Sequence, residues 1–252
     1  MIGISCPAFS IREFWDVAEE LLPHFRLWEI VADADHFLPD IKDDVKELLA
    51  STELKVSIHA PFSDINIAAF DERTRRYSVN MLRDVFEIAS DLGIGVVTIH
   101  PGSILVIQSY DKPRVSKLTR RSLEEISAHA NEYSTVIALE NMPDMRFAIC
   151  KTAEEMQAML EGLDLKMCFD IAHANTTSQI DKMLRLKSLF ANVHVHDNGG
   201  KRDEHLTLGT GNINFKAIIK TLEGYRGDYV IESMSLESAL ASKEYLGKLL
   251  GQ

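Results

Sequence analysis

The sequence is short of positive charge. Its 27 Lys and Arg residues face 38 Asp and Glu residues, which gives a formal net charge of −11 at pH 7. This balance argues against a protein that binds nucleic acid through its overall positive charge. It leaves room for a local basic groove, or for a site whose own metal ions attract phosphate.

Cysteine and long apolar runs are also scarce. The three cysteines, Cys6, Cys150 and Cys168, show no CxxC spacing, so we expect free thiols in a reducing cytosol. The first residues, MIGISCPAF, lack a basic stretch followed by a long apolar one, and no apolar run approaches the roughly 20 residues that span a bilayer. The composition therefore predicts a cytoplasmic protein that does not enter membranes.

What the chain does contain is an alternation of short apolar runs and helical segments. The runs predicted to be strands are 2–5, 27–31, 55–59, 95–99, 135–140, 166–170, 191–196 and 228–232. The segments predicted to be helices are 11–22, 40–51, 72–92, 116–133, 152–161, 177–187, 214–223 and 236–250. In 72–92, for example, Leu82, Val85 and Ala89 recur at three- and four-residue steps.

Strands that each precede a helix predict a closed parallel barrel, the (β/α)8 TIM barrel. An open doubly wound sheet is the alternative, but it needs a glycine-rich phosphate turn after the first strand, where the sequence offers only Gly3. No linker, low-complexity tract or change of composition divides the chain. We therefore expect a single barrel domain over residues 1–252.

Six of the apolar runs end in His, Asp or Glu. The residues concerned, with a following pair in KRDEHLTLG, are His59, His100, Glu140, Asp170, His173, His194, Glu232, Asp203 and His205. The C-terminal ends of barrel strands meet at one rim, so these side chains are expected to converge there. Several carboxylates buried close together require cations or protons, and imidazole with carboxylate favours Zn²⁺, Mn²⁺, Fe²⁺ or Co²⁺. The pattern predicts a metal site.

A structural role is the alternative for each of these residues taken singly. His59 could donate a hydrogen bond to a backbone carbonyl in the barrel, and His194 and His196 share a strand face, so only one of the two is expected to bind an ion directly. Three further histidines lie outside the pattern and are expected to be packing or surface residues: His24, His36 and His129.

The motifs IHPGS, FDIAH and HVHDNGGKRDEHLTLGTGNINF resemble those of the xylose isomerase-like barrel superfamily, which includes the endonuclease IV family and sugar isomerases and epimerases. The resemblance covers essentially the whole chain. It implies up to three Zn²⁺ ions or Mn²⁺, with other divalent transition metals as alternatives. The implied ligands are His59, His100 and Glu140 for the first ion, Glu140, Asp170, His194 and Glu232 for the second, and His173, Asp203 and His205 for the third.

Two enzyme classes follow from this resemblance. With several ions, the site would hydrolyse a phosphodiester or phosphoester, and Glu140 would orient the attacking hydroxide. With the second ion alone, it would isomerise or epimerise a sugar or sugar phosphate, and Glu140 and Glu232 would transfer the proton. The presence of the other two ligand sets favours the hydrolase. A metal-binding barrel without catalysis is the third alternative, and the oligomeric state is not encoded in any pattern.

Some segments depart from the endonuclease pattern. Glu140 is followed by NMPDMRF, which lacks a glycine-rich segment, and EIVADADHFLPD is acidic where that family carries a DNA-probing loop. Glu29, in the latter segment, is more like the isomerase branch. Phe62 matches an aromatic residue that packs into the DNA stack, with an apolar rim or a sugar-stacking face as the alternative. The expected partner is a phosphorylated small molecule, DNA containing a lesion, or a sugar.

Overall fold

The computed structural model describes residues 1–252 and contains a closed barrel of parallel strands. The strands are β1 (Ile2–Ser5), β2 (Leu27–Val31), β3 (Lys55–His59), β4 (Val96–Ile99), β5 (Val136–Glu140), β6 (Lys166–Asp170), β7 (Phe190–Val195) and β8 (Asp228–Glu232). Each strand pairs with the next, and β8 returns to β1 through pairs such as Ser5 with Glu232. The predicted fold, a single (β/α)8 TIM barrel, is confirmed.

Helices surround the barrel. They are α1 (Phe14–Leu21), α2 (Leu38–Ser51), α3 (Glu72–Asp91), α4 (Lys112–Ala130), α5 (Ala153–Leu160), α6 (Ile171–Thr176), α7 (Ile180–Met183), α8 (Phe215–Thr221) and α9 (Leu236–Leu250). Helix α3 shows why they pack: it buries Val79, Leu82 and Phe86 on one face, as its periodicity predicts. No helix is both long and apolar enough to cross a membrane.

Two helix starts lie more than three residues from the sequence prediction, and a capping residue accounts for each of them. The helix expected over 177–187 is replaced by α6, which begins as soon as β6 ends, and then by α7 and a 3₁₀ segment. Asp170 caps α6 by accepting a hydrogen bond from the His173 backbone N–H at 2.6 Å. Similarly, α4 begins at Lys112 instead of 116, because Asp111 accepts from the Arg114 N–H.

A buried ion-pair cluster joins α3 to α4 outside the barrel. The Arg75 side chain is fully buried and donates to Glu72 and Glu125 at 2.9 to 3.0 Å. It also donates to Ser122 Oγ at 2.9 Å, and Ser122 donates to the Ile67 carbonyl. Every side chain of this cluster is therefore paired within the protein.

The barrel interior is polar beneath its C-terminal mouth. Glu29, Ser57, Thr98 and Asn192 extend inward from four different strands, and each is buried. Asn192 Nδ2 donates to Glu29 Oε2 at 3.2 Å and to Thr98 Oγ1 at 3.0 Å, and Ser57 Oγ donates to Glu29 Oε2 at 3.3 Å. This layer supports the residues at the strand ends from below.

Candidate metal centre

The polar strand endings converge at the C-terminal mouth of the barrel. His59, Glu140, Asp170 and Glu232 are the last residues of their strands, and His194 is the next to last of β7. All five are buried. Because parallel strands of a closed barrel end at one rim, residues far apart in sequence are brought within contact distance.

The first group consists of His59, His100 and Glu140, whose ligand atoms all lie within 4.8 Å of one another. Glu140 Oε2 is 3.3 Å from His59 Nε2 and 3.0 Å from His100 Nε2. His59 Nδ1 donates to the Ala60 carbonyl at 3.0 Å, which leaves its Nε2 facing the group in the ligand form. His59 therefore makes the hydrogen bond to a backbone carbonyl that a purely structural role would require, and this same bond orients its ring toward the group.

The central group consists of Glu140, Asp170, His194 and Glu232, again within 4.8 Å. His194 Nδ1 lies 3.0 Å from Glu232 Oε1 and 3.3 Å from Glu140 Oε1. Its Nε2 lies 2.9 Å from Glu29 Oε1 on the opposite side of the ring. A carboxylate behind a histidine fixes the tautomer and directs the other nitrogen to the ion.

Glu29 and Cys168 also belong to this region. The sequence pattern predicts neither of them as part of a metal site. Glu29 is a charged residue inside the apolar run LWEIV, and that break in the run is the signal that marks it. Cys168 lies within 4.8 Å of Glu140 and His194 ligand atoms. Burial raises the pKa of its thiol above the ordinary value, so we expect a neutral thiol and no thiolate ligand.

The third predicted set, His173, Asp203 and His205, is regrouped in the structure. Asp203 Oδ2 is 3.3 Å from His173 Nε2 and from His205 Nε2. The ligand atoms within 4.8 Å of one another, however, belong to His196, Asp203 and His205, and separately to Asp170, His173 and His196. His196 therefore occupies both groups, although only one residue of the pair with His194 was expected to reach an ion.

A cation fits this region because many of its buried polar atoms have no hydrogen-bond partner. They are Glu140 Oε1, Asp170 Oδ2, His194 Nδ1, His196 Nδ1 and Nε2, Asp203 Oδ1 and His205 Nδ1. Buried polar atoms are almost always paired, so a concentration of unpaired nitrogen and oxygen ligands is best explained by ions.

The histidines and carboxylates at the mouth also perturb one another's pKa. Burial alone would lower the pKa of His173 and His194, but neighbouring groups outweigh it and raise both well above the ordinary value: Asp170, Asp203 and Glu140 for His173, and Cys168 with Glu29, Glu232 and Glu140 for His194. For His205, burial is outweighed by Asp203 and Glu232, and the pKa rises to about 9. Conversely, the imidazoles hold the pKa of Asp203 and Glu232 below the ordinary value against the effect of burial. Without ions, protons on the imidazoles balance the acids, so metal binding displaces protons.

A cavity of about 390 Å³ opens above the three groups. Its walls include the apolar side chains Ile65, Phe62, Met142, Met145 and Phe147, and Phe62 stacks on His100 with ring centroids 4.8 Å apart. None of the lining residues is Lys or Arg. The cavity therefore offers apolar contacts on one side and the candidate metal ligands on the other.

Comparisons with known proteins found relatives that align over most of the chain. An uncharacterised protein of Methanocaldococcus jannaschii is 36% identical over 98% of this chain and 88% of its own length. A probable endonuclease 4 of Acholeplasma laidlawii is 28% identical over 66% of this chain and 62% of its own length. The crystal structure of a D-tagatose 3-epimerase-like protein has a TM-score of 0.91 and 34% identity, over 99% of this chain and 97% of that one.

Two of these relatives carry different descriptions, a probable endonuclease 4 and a D-tagatose 3-epimerase-like protein. A family model described as the xylose isomerase-like TIM barrel matches residues 18–248. With that match, a closed eight-stranded barrel and relatives aligned over nearly the full length, the chain belongs to the xylose isomerase-like TIM barrel family.

Proposed function

We propose that the protein is a divalent-metal-dependent phosphoester hydrolase with a multinuclear centre, similar in its ligand arrangement to endonuclease IV. One observation carries the proposal: the ligand atoms form further groups beside the central one, and two of these, which contain His100 and His173, share Glu140 or Asp170 with it. Isomerisation with a single ion needs only the central group. The additional groups include atoms without any hydrogen-bond partner, such as Asp203 Oδ1 and His205 Nδ1, and a second and third ion would satisfy them.

The residues around each ion have defined parts in this proposal. His59, His100 and Glu140 would hold the first ion, Glu140, Asp170, His194 and Glu232 the second, and His173, Asp203 and His205 the third. Nitrogen and carboxylate ligands together favour Zn²⁺, with Mn²⁺ as the main alternative. When bound, such ions activate water and stabilise negative charge on a phosphoryl group.

Glu140 is the residue best placed to act in the reaction. It belongs to both the first and the central group, and its carboxylate contacts His59, His100 and His194. It would orient the attacking water toward the phosphorus between these groups. Glu232, also in the central group, would keep His194 in position. It would give and accept protons together with the neighbouring imidazoles.

The cavity favours a small phosphorylated substrate over duplex DNA containing a lesion. No Lys or Arg lines it, so the ions alone would neutralise the phosphoryl charge, and Phe62, Met142 and Phe147 would contact the organic part. The net charge of −11 opposes extended contact with a polyanion. We place this activity in the cytoplasm, as the composition predicts.

The proposal is tested with protein purified without chelator and loaded with Zn²⁺, Mn²⁺ or Co²⁺. Phosphate monoesters, phosphate diesters and an abasic-site oligonucleotide are the substrates, and release of alcohol or phosphate is measured. His100→Ala should reduce turnover by at least about 100-fold, because loss of even an outer partner of a metal ligand costs about 10- to 100-fold. His129→Ala, on the exposed end of α4, is the control. If none of these phosphoesters is cleaved with any of the three ions, the proposal is wrong.

A sugar epimerase or isomerase is the second candidate. Two observations favour it: Glu140 and Glu232 both approach His194 within the central group, and the D-tagatose 3-epimerase-like structure covers nearly the whole chain. Here the central ion would hold the substrate, and the two glutamates would move a proton between opposite faces of one carbon.

The two candidates are separated by variants outside the central group. Asp203→Asn should abolish phosphoester hydrolysis but leave proton exchange from a ketose into D₂O nearly unchanged. Exchange activity in the wild type that survives this substitution, without any hydrolysis, would establish the second candidate and exclude the first.

A further inference from the structure

We infer that the alcohol part of the substrate is an apolar ring without hydroxyl groups, so that the protein cleaves the phosphoester of a hydrocarbon alcohol and not a sugar phosphate. The inference rests on the proposed hydrolase function and adds a substrate class to it. The feature that carries it is one side of the cavity above the ligand groups, which we call the apolar wall. Its residues are Phe62, Ile65, Met142, Pro143, Met145 and Phe147.

The first argument is that the polar side chains lining the cavity are almost all candidate metal ligands. These are His59, His100, Glu140, His173, Asp203, His205 and Glu232. Apart from them, Ser103 is the only lining residue with a polar side chain. A sugar carries hydroxyls around its whole ring, and most of them would lie against carbon and sulfur atoms here. A buried hydroxyl without a hydrogen-bond partner is costly, so the cavity disfavours a polyol.

The second argument is that backbone groups of the wall already have partners within the protein. The Met142 N–H donates to the Cys150 carbonyl at 3.1 Å, and the Phe147 carbonyl accepts from the Ile104 N–H at 2.7 Å. These groups are not available to substrate hydroxyls. The wall therefore offers contact with carbon and sulfur atoms in place of hydrogen bonds.

The third argument is that the loops bearing the wall are fastened in place. Ser103 and Ala148 form an antiparallel bridge between the loops that follow β4 and β5. Asn66 holds Ser103 from behind, since its Nδ2 donates to the Ser103 carbonyl and its Oδ1 accepts from the Ser103 N–H, both at 3.0 Å. Asp33 Oδ2 accepts from the Phe62 N–H at 3.1 Å. A surface held in this way is ready for a ligand before it arrives.

The fourth argument is that the wall stays open to solvent. Phe147 is 53% exposed, and Phe62, Met142 and Met145 are half-buried. Exposed apolar surface beside a pocket is typical of a ligand site. Phenylalanine and methionine side chains both pack well against a ring. The wall thus fits a hydrocarbon ring whose phosphoryl group lies at the candidate metal ligands.

The test compares two phosphate esters that differ mainly in the polarity of the alcohol. Cyclohexylmethyl phosphate and glucose 6-phosphate each carry a six-membered ring on a CH₂–O–phosphoryl group, and both are supplied as monoesters and as methyl diesters to the zinc-loaded full chain. We expect kcat/KM to be at least about 100-fold higher for the cyclohexylmethyl ester, because each hydroxyl buried without a partner costs on the order of tenfold.

Variants of the wall should weaken this preference. Phe147→Ala should reduce it by about tenfold, mostly through KM, since the lost apolar contact binds substrate and transition state alike. Met145→Gln keeps the length of the side chain but makes its end polar, and should also reduce the preference. Tyr77→Ala is the control, because Tyr77 is 58% exposed on α3 and does not line the cavity. It should keep the wild-type preference.

Binding is measured separately from turnover, by isothermal titration calorimetry with the corresponding phosphonates, which are not hydrolysed. The cyclohexyl compound should bind more tightly and with a negative heat-capacity change, as burial of apolar surface requires. Similar kcat/KM for the two rings, or a preference for the glucose ester, overturns the inference and leaves the hydrolase function standing. If no phosphoester is cleaved, the hydrolase function and the inference fail together.

Discussion

Two buried charge clusters in this molecule have opposite characters. The cluster around Arg75, between α3 and α4, pairs its guanidinium with Glu72, Glu125 and Ser122. The cluster at the barrel mouth contains buried carboxylates and imidazoles, and several of their atoms, including Asp170 Oδ2 and His196 Nε2, have no partner. The two clusters therefore differ in pairing, and they also differ in burial, since Glu72 is 40% and Glu125 39% exposed whereas Glu140 is 1% exposed.

This difference separates a structural cluster from a functional one. A buried charge that is fully paired is satisfied by the fold itself and requires nothing else. A group of buried ligand atoms that the fold leaves unpaired stays costly until ions or protons arrive. Buried ligand atoms without partners are therefore a better guide to function here than charge alone. Four predictions test this contrast, from the largest expected effect to the smallest.

The largest effect is expected from Glu140→Gln, because this carboxylate belongs to both the first and the central group. Phosphoester hydrolysis should fall by about 10³-fold, within the range for loss of a group that acts on the transferred proton. Steady-state kinetics on the zinc-loaded protein measure the change. Glu125→Gln, in the paired cluster, should leave turnover within about twofold. Equal losses in the two variants would remove the contrast.

The second prediction concerns pH and the metal-free protein. The pKa of His205 is raised from 6.5 to about 9, so its contribution to stability is fully present below about pH 6.5 and is lost as the pH rises through about 9. That shift corresponds to about 3 kcal/mol. Thermal unfolding between pH 6 and 9.5 should show this decline without metal and a smaller one with zinc, since ions replace the protons. A metal-free profile that does not change in His205→Gln would contradict the assignment.

The third prediction applies to the paired cluster. Arg75→Met should lower the free energy of unfolding by about 2 kcal/mol, since Glu72 and Glu125 are half-exposed and water can solvate them once the guanidinium is gone. Urea denaturation measures the loss. Zinc content and turnover should stay at wild-type values, because this cluster lies outside the barrel mouth. A change in metal content would show that the two regions are coupled.

The smallest effect is expected at Glu29, which contacts His194 from beneath the site. Glu29→Gln keeps the size of the side chain but removes the carboxylate that orients the imidazole, so zinc affinity at the central group should fall about tenfold. Competition with a chromophoric chelator measures this. Ser57→Ala, which removes a hydroxyl that contacts Glu29 and not His194, should change affinity far less.

Much of the barrel follows from the sequence because strand and helix patterns are local. Seven of the apolar runs predicted to be strands contain their strand, and β7 begins one residue before the run 191–196. Helices α2, α3, α5 and α9 lie close to their predicted segments. The helix after β6 was misplaced, since Asp170 serves both as the end of a strand and as the cap of α6. Periodicity alone does not show that one residue both ends a strand and caps the next helix.

The sequence alone determined which residues stand at the strand ends, because that depends only on the order of apolar and polar residues along each run. The tertiary structure decided which of them face one another. Barrel closure puts Glu29 of β2 against His194 of β7, and it places His196 between Asp170 and Asp203. Those pairings depend on strand register, on the curvature of the barrel and on the left-handed turn at His205, none of which is a property of a single segment.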